Sequence, residues 1–151
     1  MAARIIFSIL LALSAGAQAP QSPHAPWFGT WKLDPVRSTA ASDRYKRVMT
    51  RIEPSGDGLK VTYEMVGTRG GVSHLEWAGK LDGKDYPVEG IDSVLTNAYT
   101  LLGDRSYRIV VKAEGVIAET AVVEVSADGK TLTSTTTRRG GVTTLSVYQK
   151  Q

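Results

Sequence analysis

Glu64, His74 and Glu76 are the residues closest to an arrangement that does chemistry. They fall in two segments, 59–66 and 72–80, whose apolar residues alternate with polar ones on either side of Gly67-Thr68-Arg69-Gly70-Gly71. Paired as a hairpin, these segments set Glu64 opposite His74 with Glu76 two residues along, and a carboxylate beside an imidazole is the minimum for general-base work. On a wet strand face the same three residues are a cross-strand charge pair, worth well under ~1 kcal/mol. A metal at Glu64, His74 and Glu76 would need a further ligand and an orienting outer shell, and the sequence supplies neither. The second set is aromatic: Tyr63, Trp77, Tyr99, Tyr107 and Tyr148. An apolar body with a polar tip suits the wall of a cavity for amphiphilic molecules. It suits a solidly filled small barrel equally well.

Other candidates reduce to structure. Asp82, Asp104 and Asp128 sit where turns favour Asp, too far apart in the chain to suggest a calcium site. The run Thr131, Thr133, Thr135, Thr136, Thr137, Thr143 and Thr144 is strand propensity, or in a sharper reading the polar lining of a barrel. No Cys is present, and His24 and His74 are the two histidines. The chain shows no Ser-His-Asp order, no phosphate loop and no Gly-x-Gly-x-x-Gly. The expectation is a protein that is not an enzyme and needs no cofactor or metal.

The elements that would hold these residues are short strands. Residues 28–33, 45–53, 59–66, 72–80, 86–88, 93–101, 106–113, 116–126, 131–138 and 142–149 alternate with period two. Turn residues separate them, among them Asp82-Gly83, Gly103-Asp104, Glu114-Gly115, Asp128-Gly129 and Gly140-Gly141. Residues 34–44 form a connector with room for one helical turn. Pro87 argues for an edge or a break in pairing. A two-residue turn at Glu114-Gly115 sets Val111 opposite Ala118, Ile109 opposite Thr120 and Tyr107 opposite Val122. It leaves Arg108, Lys112 and Glu119 on the other face. In the earlier hairpin, Val61, Tyr63 and Met65 share a face with Leu75 and Trp77. Hairpins in sequence curl into an antiparallel up-and-down β-barrel of about 8–10 strands, because closure removes exposed edges. A two-sheet β-sandwich is the alternative.

The 151 residues, 42% hydrophobic and 22% charged, suit one domain with a core of its own. The net charge of +3 is dispersed, with no Lys/Arg run longer than two, which gives no support to a nucleic-acid footprint, and no nucleic-acid partner is expected. Residues 1–17 carry Arg4, an apolar run and Ser14-Ala15-Gly16-Ala17, the pattern of a secretory signal peptide cut after Ala17. The apolar run is too short for a membrane span of about 20 residues. Residues 18–26 read as a Pro-rich leader and 27–151 as the barrel domain. Export without Cys indicates a periplasmic or secreted protein that is not a lipoprotein.

Gly29-Thr30-Trp31 on the first strand resembles the lipocalin and fatty-acid-binding (calycin) superfamily. The resemblance implies that Trp31 plugs the closed end of the barrel beneath an arginine of a late strand, here Arg138 or Arg139, in a cation–π contact. Gly29 to Leu33, Ile52 to Gly58, Asp82 to Val88 and Ser126 to Thr133 also resemble, in order and spacing, a family of small exported lipocalin-like proteins of bacteria. That likeness implies fold and export and assigns no activity. Fatty-acid-binding members carry Arg-x-Tyr on the last strand to grip a carboxylate. Here the matching tripeptide is Ser146-Val147-Tyr148, and 34–44 is too short for their two-helix lid. The expected function is binding of a small apolar or amphiphilic molecule without catalysis. An envelope interaction or structural module with a filled core is the rival.

Overall fold

A computed structural model describes residues 25–39 and 44–151; the expected signal peptide, residues 18–24 of the expected leader and residues 40–43 of the expected connector lie outside them. Ten strands follow in order: β1 (Gly29–Leu33), β2 (Tyr45–Ser55), β3 (Gly58–Gly67), β4 (Val72–Gly79), β5 (Asp82–Glu89), β6 (Leu95–Gly103), β7 (Ser106–Ala113), β8 (Val116–Val125), β9 (Thr131–Arg138) and β10 (Thr143–Lys150). Each pairs antiparallel with its chain neighbour, and β1 pairs with β10, so the sheet closes into an up-and-down barrel. Closure accounts for an all-strand architecture among the described residues: every strand finds two partners without a crossover. The two-sheet alternative is thereby excluded.

Turn chemistry sets the strand ends. Glu114 and Gly115 both adopt positive φ (50° and 77°), the backbone a two-residue hairpin with right-twisted strands requires. Pro87 lies inside β5, which has a neighbour on either side in the closed barrel and so is not an edge strand. The expected break falls between β4 and β5, where pairing is confined to Glu76 with Glu89 and Trp77 with Val88. Residues 34–39 of the connector after β1 make a tight turn. Asp34 Oδ1 accepts from the amides of Val36 and Arg37, and Ser38 and Thr39 bond to the backbone of Val147 and Leu145 on β10.

One register differs from the sequence expectation. Ala113 faces Val116 and Lys112 faces Ile117, but Val111 then faces Glu119, Ile109 faces Ala121 and Tyr107 faces Val123. Ala118 is the extra residue of a β-bulge, and a bulge moves every later side chain of its strand to the other face. Ala121, Val123 and Val125 therefore enter the core in place of Thr120 and Val122, and Glu119 turns inward.

The core is densest at the end where the β2–β3, β4–β5, β6–β7 and β8–β9 turns lie. Trp31, Trp77, Tyr99, Ile52, Leu59 and Val61 are all fully buried, and Trp27 joins them from before β1. The Trp31 indole N–H donates to the Trp27 carbonyl at 2.8 Å, which seats the entering chain across this end.

Candidate functional site

The Glu64–His74–Glu76 group lies on the outer wall. Glu64 does face His74 in the β3–β4 register. Each carboxylate is taken by a cation, however: Glu64 by Arg47 at 2.6 Å and Glu76 by Lys60 at 2.8 Å. These are half-exposed ion pairs of small energetic weight. Among the described residues no three His, Asp or Glu side chains gather closely enough to hold a metal ion.

Inside the barrel the five aromatic candidates divide. Trp77 and Tyr99 stack at 3.8 Å and 22°, Tyr99 and Tyr107 at 5.4 Å and 28°, and Trp27 meets Tyr107 edge-on at 5.5 Å. The Trp77 N–H donates to the Asn97 carbonyl at 3.1 Å. This stack is a floor: Trp77, Tyr99 and Tyr107 are packed away beneath the open space. Tyr63 and Tyr148 stand above it and border the cavity. The Tyr63 and Tyr99 hydroxyls share a hydrogen bond of 3.1 Å that ties wall to floor.

Above the floor lies a cavity of about 730 Å³, open toward the end that carries the β3–β4, β5–β6, β7–β8 and β9–β10 turns. That is within the range of about 300–1,000 Å³ typical of small-molecule sites. Val48, Met65, Leu75, Leu95, Ile109 and Val111 supply apolar wall; Asn97, Ser134, Thr136, Thr144 and Ser146 supply polar groups; Glu119, Arg138 and Arg44 supply charge. The β9–β10 wall is hydroxylated because Thr and Ser alternate inward there, so two of the seven run threonines, Thr136 and Thr144, line the space. Val72, Ile91, Val94, Val116 and Val142 are exposed in the turns and at the strand ends around the mouth.

Burial raises the Tyr148 hydroxyl to a pKa of about 12. It pushes Tyr99 and Tyr107 well above the ordinary phenol value, and Tyr63 up as well, with the Glu119 charge adding to the rise at Tyr63. These hydroxyls are neutral donors and acceptors across the physiological range.

The cation over Trp31 is neither Arg138 nor Arg139. Lys150 Nζ lies 5.1 Å from the Trp31 ring centroid. Trp31 faces Lys150 in the β1–β10 register, whereas Arg138 ends β9 at the mouth and lies 3.6 Å from Glu119. The antiparallel course of the last hairpin returns the chain terminus, not the end of β9, to Trp31. Sequence reasoning missed Glu119, Asn97 and Arg138 as cavity residues. Arg138 and Ser134 had a legible signal, since they share the parity of buried Leu132. Glu119 had none, because the bulge reverses its parity.

The barrel has the architecture of fatty-acid-binding and lipocalin-like proteins. A secretary abundant heat soluble (SAHS) protein of Ramazzottius varieornatus matches with a TM-score of 0.62 at 15% identity, over 83% of this chain and 96% of that one. A Schistosoma mansoni fatty acid binding protein in complex with arachidonic acid matches with a TM-score of 0.56 at 16% identity, over 86% and 99%. The zebrafish ileal bile acid-binding protein complexed with cholic acid matches with a TM-score of 0.51 at 16% identity, over 83% and 98%. No protein-family model and no curated protein sequence matches the chain.

Proposed function

We propose that this protein is an exported carrier that holds a small apolar or amphiphilic molecule inside its barrel without transforming it. The observation that carries the reading is the cavity of about 730 Å³, open at one end, with apolar walls and a few polar groups converging on it. The arachidonic-acid and cholic-acid complexes of barrels with the same fold support the class of cargo. The outward position of His74, with its neighbouring carboxylates engaged by Arg47 and Lys60, supports binding without catalysis. Export rests on residues 1–17 and remains part of the proposal.

The test is native mass spectrometry of protein exported through its own signal, with an organic extract of the same sample. A reproducible additional mass, lost on denaturation and recovered in the extract, supports the carrier and names its cargo. The aromatic floor favours one second reading, because it fills the closed half of the barrel as an interaction module with a solid core would. A clean apo mass, with no Trp fluorescence response to fatty acids, retinoids or haem, selects that module.

A further inference from the structure

Polarity in the cavity is divided by side, not by end. Three neighbouring strands, β8, β9 and β10, contribute Glu119, Ser134, Thr136, Arg138, Thr144 and Ser146 to its lining. Halfway round the closed ring stand β4 and β5, which contribute Leu75 and Val88, with Met65 of β3 and Leu95 of β6 beside them. On that apolar side Tyr63 and Asn97 adjoin the floor, where both are tied to Tyr99.

The four hydroxyls of the polar side form two cross-strand pairs, since Ser134 faces Ser146 and Thr136 faces Thr144 in the β9–β10 register. Strands about 4.8 Å apart, with alternate residues about 6.8 Å along each, make this a patch of roughly 5 by 7 Å. The parity of buried Leu132 turns Ser134 and Thr136 inward, while Thr135 is exposed on the outer face. A hydroxyl offers one donor and two acceptor sites. The Ser134–Thr136 contact of 3.5 Å and the bond between Ser146 and Tyr148 therefore leave capacity on all four. A plain alkyl chain laid on this patch would strip its water and return no hydrogen bond.

Resting on the carrier reading, we propose that the cavity takes a two-faced amphiphile: a rigid ring system whose hydroxyls run along one long side, against Ser134, Thr136, Thr144 and Ser146, and whose apolar side lies against β4 and β5. The polarity of the ligand thus runs across its length, unlike that of a fatty acid, which has a polar head and an apolar tail.

Calorimetric titration with cholate, lithocholate and dodecanoate, each below its micellar concentration, tests this. Cholate and lithocholate share a ring skeleton and a carboxylate, but lithocholate has fewer hydroxyls on its polar face. Burial of apolar area alone favours lithocholate. A site built to hydrogen-bond ligand hydroxyls instead discriminates against the analogue that lacks them, so cholate should bind the unmodified protein at least about tenfold more tightly than lithocholate. Thr136→Val combined with Thr144→Val keeps the side-chain shapes and should erase or reverse that preference, while Thr135→Val on the outer face leaves it intact. Equal binding of the two steroids, or tighter binding of lithocholate or dodecanoate than of cholate, by the unmodified protein overturns the proposal and leaves the carrier intact. So does a preference that survives the paired substitution. A protein that takes up none of the three probes overturns the carrier reading itself.

Discussion

Replacing Trp77 by Phe tests whether the floor is as solid as its geometry implies. Trp77 is fully buried, stacked on Tyr99 at 3.8 Å and edge-on to Tyr86 at 5.9 Å, and its N–H donates to the Asn97 carbonyl. Phenylalanine keeps an aromatic face for Tyr99 but loses the donor, a net cost of about 1 kcal/mol. The missing part of the indole leaves a void in a rigid wall, for roughly 1–2 kcal/mol more in transfer and cavity energy. The sum is about 2–3 kcal/mol, which for a chain of this size lowers Tm by roughly 10 °C. Thermal and urea unfolding followed by circular dichroism would measure it, with His74→Gln on the outer wall as a control expected within about 0.5 kcal/mol. Because Trp77 does not border the cavity, affinity for a bound amphiphile should change by less than about threefold. A loss below about 0.5 kcal/mol would refute the packed floor. A tenfold fall in affinity with stability unchanged would refute the division between floor and wall.

Four further outcomes follow from particular contacts. Tyr63, Tyr99, Tyr107 and Tyr148 have folded pKa values above that of an unfolded tyrosine, so the stability they contribute is complete below about pH 10 and declines as pH rises through the folded values, about 12 for Tyr148. Ultraviolet titration of tyrosinate should lag that of the urea-unfolded chain, and an identical curve would contradict the burial. Gly79→Ala places a methyl 2.6 Å from the Tyr86 ring and 2.7 Å from Trp77, and this overpacking should cost about 1–3 kcal/mol in a denaturant melt. Lys150→Gln removes the cation over Trp31 and should cost about 0.5–1 kcal/mol, while Arg139→Gln leaves stability and Trp fluorescence unchanged; the reverse pattern would restore the arginine plug. Ser146→Arg sets a guanidinium beside the cavity on the strand of Tyr148, and a charge-assisted bond there should tighten dodecanoate binding at least about tenfold by titration.

What the residues determine locally, they determine well. Period-two alternation and the Gly and Asp turns define ten segments close to the ten strands, and in an all-antiparallel chain of hairpins each strand's first partner is its neighbour. The same alternation brings Glu64 opposite His74 and puts Tyr63 on one face with Trp77, because no irregularity interrupts β3 and β4. The exported, non-catalytic character expected from residues 1–17 and the sparse histidines is still a proposal.

Three matters were settled only by closure of the barrel. Alternation cannot say where an extra residue is inserted, so the bulge at Ala118, and with it the inward turn of Glu119, depends on how β8 must bend to pair with β7 and β9 together. Which cation covers Trp31 depends on the β1–β10 seam, a contact between the first and last strands that no local pattern encodes. The split of five similar aromatics into a floor of Trp77, Tyr99 and Tyr107 and a wall of Tyr63 and Tyr148 depends on height along the barrel axis. Strand tilt and register fix that height, and they exist only once all ten strands are joined.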